Sequence, residues 1–238
     1  MASNSFKRFG IDHLSPSSLN LWRAQPGWWV QRYIRRIKDE DNAAMAVGKA
    51  VEDGLAVCLR TGVIGLGVNA AIEGYKLNYR GPEDKEREAM IGPMLRVLQK
   101  WTPPSELNAT QIKIEHWLDP IPVPLIGFVD FGFDGIDIDL KTTKACPSSP
   151  RADHIRQVSL YRAARGRWGG LLYVTDKRHA YYEVTDEMME IGLKDLRSAA
   201  LSLNNFLARC DTADDAVKSL PLDWDSFYAP KNKELVTA

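Results

Sequence analysis

The stretch from Gly127 to Thr143, GFVDFGFDGIDIDLKTT, limits the fold more tightly than any other part of the chain. Asp134-Gly135 separates two runs of alternating apolar and polar residues, which is the pattern of a two-residue hairpin. With those residues at the centre of the turn, Phe133 pairs with Ile136, and the ladder steps outward until Asp130 meets Asp139. Alternation sends Ile136, Ile138 and Leu140 to one face and Asp137, Asp139 and Lys141 to the other. Two carboxylates directly opposed destabilise a sheet. A divalent cation between them relieves the conflict, and hard oxygen ligands suit Mg²⁺ or Mn²⁺. The alternative is a solvated polar face on an ordinary hairpin, with Lys141 as counter-ion. Geometry leaves both readings open.

The flanking sequence supplies helices before this hairpin and a helix, strands and helix after it. Ser15-Pro16-Ser17-Ser18 starts a helical run that reaches Ile34 across a break at Pro26-Gly27. Further helices are predicted at 42–60, 67–78 and 83–101, the last disturbed by Gly92-Pro93. Strands are predicted at 111–117, 124–133 and 136–142, a helix at about 152–165, strands at 170–175 and 179–185, and a long helix at 186–209. This order predicts one α/β (α+β) domain over residues 1–238, a mixed central β-sheet flanked by helices. Its core falls at about 14–209, followed by a loop-rich tail at 210–238.

Composition narrows the function classes. The 238 residues are 45% hydrophobic, enough for a sizeable core. No apolar run reaches the ~18 residues of a membrane span, and the N-terminal residues lack the apolar centre of a signal peptide. Cys58, Cys146 and Cys210 lie far apart, which argues against a disulfide framework or a zinc site and for the reducing cytoplasm. With 31 basic and 31 acidic side chains the chain has no uniformly basic coat. Charge is nevertheless uneven: residues 1–40 hold seven Lys/Arg against three Asp/Glu, and residues 141–170 hold seven against one, Asp153.

Asp130 followed by Asp139-Leu140-Lys141 resembles the D…(D/E)xK signature of the PD-(D/E)XK nuclease superfamily, whose members share a restriction-endonuclease-like core. Three further segments, in order, resemble its RecB-like exonuclease branch, which includes phage-type exonucleases. They are Ser15-Pro16-Ser17-Ser18-Leu19 with the aromatic stretch after it, Gly48-Lys49-Ala50-Val51-Glu52, and Gln157-Val158-Ser159-Leu160-Tyr161. Gly127 matches a glycine preceding the first aspartate. Glu52 stands where many RecB-like members carry His. Some relatives hold an iron–sulfur cluster on four cysteines; only three exist here, so no iron–sulfur cluster is expected.

The resemblance implies a Mg²⁺-dependent deoxyribonuclease, with Mn²⁺ able to substitute, serving DNA recombination, repair or phage replication. Asp130, Asp139, Glu52 and the Leu140 carbonyl would bind metal, and Lys141 would orient or deprotonate water or stabilise charge. Gln157, Tyr161, Arg156, Ser17 and Arg32 are expected to bind DNA or support the site. Trp28, Trp29 and Tyr33 lie among Arg32, Arg35, Arg36 and Lys38, a mixture that suits stacking on bases or, more simply, packing into the core. The DNA partner would be linear duplex or single-stranded ends, with a single-strand annealing or binding protein as a further partner. Structure-selective or nicking endonuclease action, or DNA binding without catalysis, are the alternatives.

Overall fold

The computed structural model describes residues 4–37, 42–226 and 228–229. Lys38 and the end of the tail therefore lie outside the described residues. A five-stranded mixed sheet has the order β1-β2-β3-β4-β5, with β1 (Ala109–His116), β2 (Leu125–Gly132), β3 (Ile136–Thr142), β4 (Trp168–Val174) and β5 (His179–Glu183). All neighbours are antiparallel except β3 and β4, which run parallel. A parallel pair needs a crossover, and helix α7 (Ala152–Arg165) is that crossover. The fold expected from the sequence, a mixed sheet between helices, is the fold found.

Around the sheet lie α1 (Ser5–Arg8), α2 (Pro16–Ala24), α3 (Pro26–Tyr33), α4 (Ala43–Thr61), α5 (Ile64–Asn78), α6 (Lys85–Leu98), α8 (Asp186–Ala208) and α9 (Ala213–Lys218). Ser15 caps α2 through a capping box with Ser18, and Pro26 at the first position of α3 makes the break between the two helices. Pro93 does not break α6. Ile91, Met94, Leu95 and Leu98 are buried, and their packing offsets the lost backbone hydrogen bond. The tail is not only loop: it forms α9, and the Asp223 carbonyl accepts a hydrogen bond from Trp28 Nε1.

Two hydrophobic cores meet at the sheet. One gathers α2, α3, α7 and α8 on one face; the other gathers α4, α5 and α6 on the opposite face. Trp28 and Trp29 are buried in the first, so the N-terminal aromatics pack rather than present themselves to a ligand.

The hairpin has the register read from the Asp-Gly turn: Phe131 pairs with Ile138 and Gly132 with Asp137. The ladder then stops. Beyond it Leu14 enters the gap, donating to the Pro124 carbonyl and accepting from Ile126 N–H on the edge of β2 that turns away from β1. β2 and β3 thus form a fork, and the carboxylates lie at its vertex.

Candidate active site

Asp130 and Asp139 are the first residues beyond the last ladder pair, Phe131–Ile138, where the fork opens. Asp139 is fully buried. Its Oδ1 accepts a hydrogen bond from Gln157 Nε2 at 2.9 Å. Its Oδ2 lies 2.7 Å from Lys141 Nζ, a buried ion pair. Lys141 Nζ also donates to Gln157 Oε1 at 3.1 Å, so one carboxamide on α7 holds both residues of the Asp-Leu-Lys motif.

Asp130 does not complete the ladder. Its Oδ2 accepts the backbone N–H of Leu140 at 2.8 Å. A residue's N–H and C=O leave a strand on the same side. The Leu140 carbonyl therefore also faces the fork, while Asp139 and Lys141 turn their backbone toward β4. Burial, then the Asp139 charge, pushes the Asp130 carboxyl well above the usual carboxylate range. Burial also raises Asp139, against the pull of Lys141. For Lys141, burial opposes the ammonium, but Asp139 and Asp130 outweigh it and the pKa rises.

Glu52, on α4, reaches the same place through an intermediary. Gln111 Nε2 donates to Glu52 Oε1 and, at 3.4 Å, to Asp130 Oδ1. Lys49 Nζ pairs with the same Glu52 oxygen at 3.1 Å and with Asp53 at 3.0 Å. Gln111 is absent from the expected site residues. It occupies a left-handed backbone position, φ 51°, where the β1–β2 pairing passes from Thr110–Phe131 to Ile112–Val129. Non-glycine residues seldom adopt this conformation, and such strain concentrates at functional sites. Nothing in its local sequence marks it; only the strand partner does.

The polar face of β3 is not solvated, because α7 covers it. Asp137 is buried against Arg165, whose Nε lies 2.6 Å from Oδ2. Tyr161 is buried, receives a 2.5 Å hydrogen bond from Gln157 Nε2, and packs over Gly127, where a Cβ would stand 2.8 Å from its ring. Tyr161 therefore supports Gln157 from behind rather than facing DNA.

Other expected contact residues lie elsewhere. Arg156 is buried, bonded to Asn20 and paired with Asp195, and so ties α7 to α2 and α8. Ser17 is exposed and shares a hydrogen bond with the capping Ser15. Arg32 is half-buried in the last turn of α3. The basic stretch 141–170 is largely internal. Lys141, Arg151, Arg156, Arg162 and Arg165 pair with carboxylates, and Arg167 donates to the Phe133 carbonyl.

Among the described residues no three His, Cys, Asp or Glu side chains stand together as a finished metal cage. The set is two carboxylates and a lysine at a strand fork, with a third carboxylate joined to them through a glutamine.

The chain shares an overall fold with the protein from Eubacterium rectale whose crystal structure is described as a "putative exonuclease". The TM-score is 0.59 at 13% identity, over 94% of this chain and 93% of that one. LHK-Exo, solved in complex with dAMP, overlaps 69% of this chain and 92% of its own at 12% identity, with a TM-score of 0.36, too low to carry an argument. No protein-family model matches the chain, and no curated protein does. No described helix is long and apolar enough to cross a membrane.

Proposed function

We propose that this chain is a metal-dependent nuclease that hydrolyses DNA phosphodiester bonds, working from ends. The observation that supports it best is the fork itself, which holds Asp130 and Asp139 together at a cost in electrostatic energy that the fold alone does not require. The Eubacterium rectale protein that shares this fold is described as an exonuclease, which favours ends over internal sites. A role in recombination, repair or phage replication belongs to the same reading and rests on the motif resemblance.

The residues fit a hard divalent cation. Asp139 Oδ2 is buried beside the Lys141 ammonium, Asp130 is strained toward its neutral form, and the Leu140 carbonyl faces the same space. Mg²⁺ characteristically takes one or two carboxylates and fills its shell with water and phosphate oxygens, so a third protein carboxylate is not required. Asp130, Asp139 and the Leu140 carbonyl would hold it, with Glu52 joining once Gln111 releases it; Mn²⁺ can take its place. Such an ion supplies polarisation of the scissile phosphate and a lowered pKa for water.

The chain's own side chains then do the rest. Lys141 keeps its proton in this setting, so its ammonium stabilises charge growing on the phosphate oxygens rather than accepting a proton. Gln157 fixes that ammonium, and Tyr161 fixes Gln157.

Degradation of end-labelled linear duplex beside closed circular duplex, with Mg²⁺, Mn²⁺ or chelator, tests the proposal. Metal-dependent loss of the linear DNA alone, reduced about 10²–10⁴-fold by Asp139→Ala, is the expected result. Cutting of the circle would replace exonuclease with endonuclease. One observation favours catalytically silent DNA binding instead: Lys49 and Gln111 already engage Glu52. Cleavage of neither substrate would select that reading.

A further inference from the structure

The outer face of β1 and β2 leads directly to this site. Ile112, Ile114 and Leu118 on one side of the chain, with Leu125, Gly127 and Val129 on β2, turn inward toward α7 or its core. The residues alternating with them, Lys113, Glu115 and Trp117, and Ile126 and Phe128, turn the other way, to the face where α4 lies. Phe128 is 49% exposed and Trp117 58% exposed. A one-sided antiparallel sheet normally shows polar residues on this face. Here Trp117, Ile126 and Phe128 run obliquely across it toward Asp130, where the alternation of β2 breaks: Val129 packs in the α7 core and Phe131 in the α4 core.

The spacing and charge suit one kind of ligand. Two residues along a strand cover ~7 Å, so Phe128 stands one step from Asp130, and Trp117 lies ~20 Å away beside the start of β2. Lys113, directly across from Phe128, is exposed and makes no ion pair among the described residues. Arg60 of α4 reaches the start of β1, just beyond Gln111 and Asp130, where it donates to Thr110 Oγ1. Glu115 is the one acid of the strip, opposite Ile126 and away from the site. Flat apolar side chains beside isolated cations match a polymer with π-faced bases and phosphates. Only unpaired bases expose those faces, since a duplex hides them in its stack.

We propose that Phe128, Trp117 and Lys113 form a track that binds a single DNA strand through base stacking and delivers its phosphate to Asp130. This deepens the nuclease reading and rests on it for the direction of travel. The site thereby engages one unpaired strand, whether free or peeled from the end of a linear duplex.

Fluorescence anisotropy of a labelled oligothymidylate in chelator, with a blunt duplex beside it, tests the track on full-length protein. Phe128→Leu, which keeps an apolar side chain, is expected to weaken oligothymidylate binding about tenfold, and Phe128→Trp to retain it. Lys113→Gln should lower affinity less, and Trp117→Phe should remove oligonucleotide quenching of tryptophan emission. With Mg²⁺, Phe128→Leu should raise KM on the single strand with kcat kept. Unchanged oligothymidylate binding by Phe128→Leu overturns the track. So does equal loss on blunt duplex, or a concentration-dependent dimer that Phe128→Leu dissolves. Binding through Phe128 without cleavage by wild type would leave the track standing and defeat the nuclease reading. Cleavage by wild type that Phe128→Leu does not alter would do the reverse.

Discussion

Asp130 concentrates the conflict between stability and activity in this molecule. Burial and the neighbouring Asp139 both raise its pKa, so its ionised form weakens the fold at neutral pH. Asp130→Asn keeps an oxygen for Leu140 N–H and removes the charge. Without metal it should raise Tm by about 2–4 °C, corresponding to ~1 kcal/mol at this chain length, while abolishing cleavage. Mg²⁺ should raise the Tm of wild type and not of this variant. Differential scanning fluorimetry reads both.

Gln111 makes a complementary case. Its left-handed backbone favours glycine, and its carboxamide serves Glu52 and Asp130. Gln111→Ala loses the hydrogen bonds and keeps the strain; Gln111→Gly loses the bonds and relieves it. Glycine should therefore be the more stable of the two by about 1–2 kcal/mol in urea denaturation, the reverse of the usual order in a strand. No reading of the sequence reaches Gln111, because its role depends on which residue lies across the ladder. Asp130, Asp139 and Lys141 are legible for the opposite reason: a two-residue turn fixes their register locally.

At the scale of elements, α7 shows where sequence patterning stops. Alternation correctly separates the two faces of β3 but does not say what covers each. The helix that follows covers the polar one, and its arginines become internal attachments instead of a nucleic-acid surface. Arg165 is the clearest: without it Asp137 remains buried and unpaired. Arg165→Met should cost about 3–5 kcal/mol in chemical denaturation, and adding Asp137→Asn should recover most of that.

The other end of α7 carries a pH response. His154 is hydrogen-bonded to the Tyr173 hydroxyl at 2.8 Å, and burial, then Lys141, lowers its pKa to about 4. The unfolded chain binds this proton near pH 6.5, so between pH 6.5 and 4 the unfolded state holds more protons. Stability contributed by the neutral ring is thus full above pH 6.5 and lost on acidification. The loss is at most about 3 kcal/mol. His154→Gln should flatten the stability–pH curve across that window relative to wild type.

For the whole molecule, zero net charge and the internal use of the 141–170 arginines leave few cations for phosphate. Lys113 and Arg60 are those near the fork, since Lys49 is paired with Glu52 and Asp53. Two phosphate contacts predict a salt slope of about −1.4 for single-stranded DNA, where a basic groove would give a far steeper one. Titration between 50 and 300 mM salt measures it. The overall architecture was legible from the order of helical and alternating segments. The break in the β2–β3 ladder was not, because the residue that enters it lies more than a hundred positions upstream.

That residue, Leu14, has a consequence for how the centre persists. Two strands joined by a tight turn tend to zip along their whole length. A fully zipped hairpin would engage the Leu140 N–H and carbonyl in backbone pairs, leaving neither for the Asp130 carboxylate or a ligand. By claiming the edge of β2 first, the segment ahead of Ser15 acts as a doorstop, and the reactive opening is a zipper held part-way.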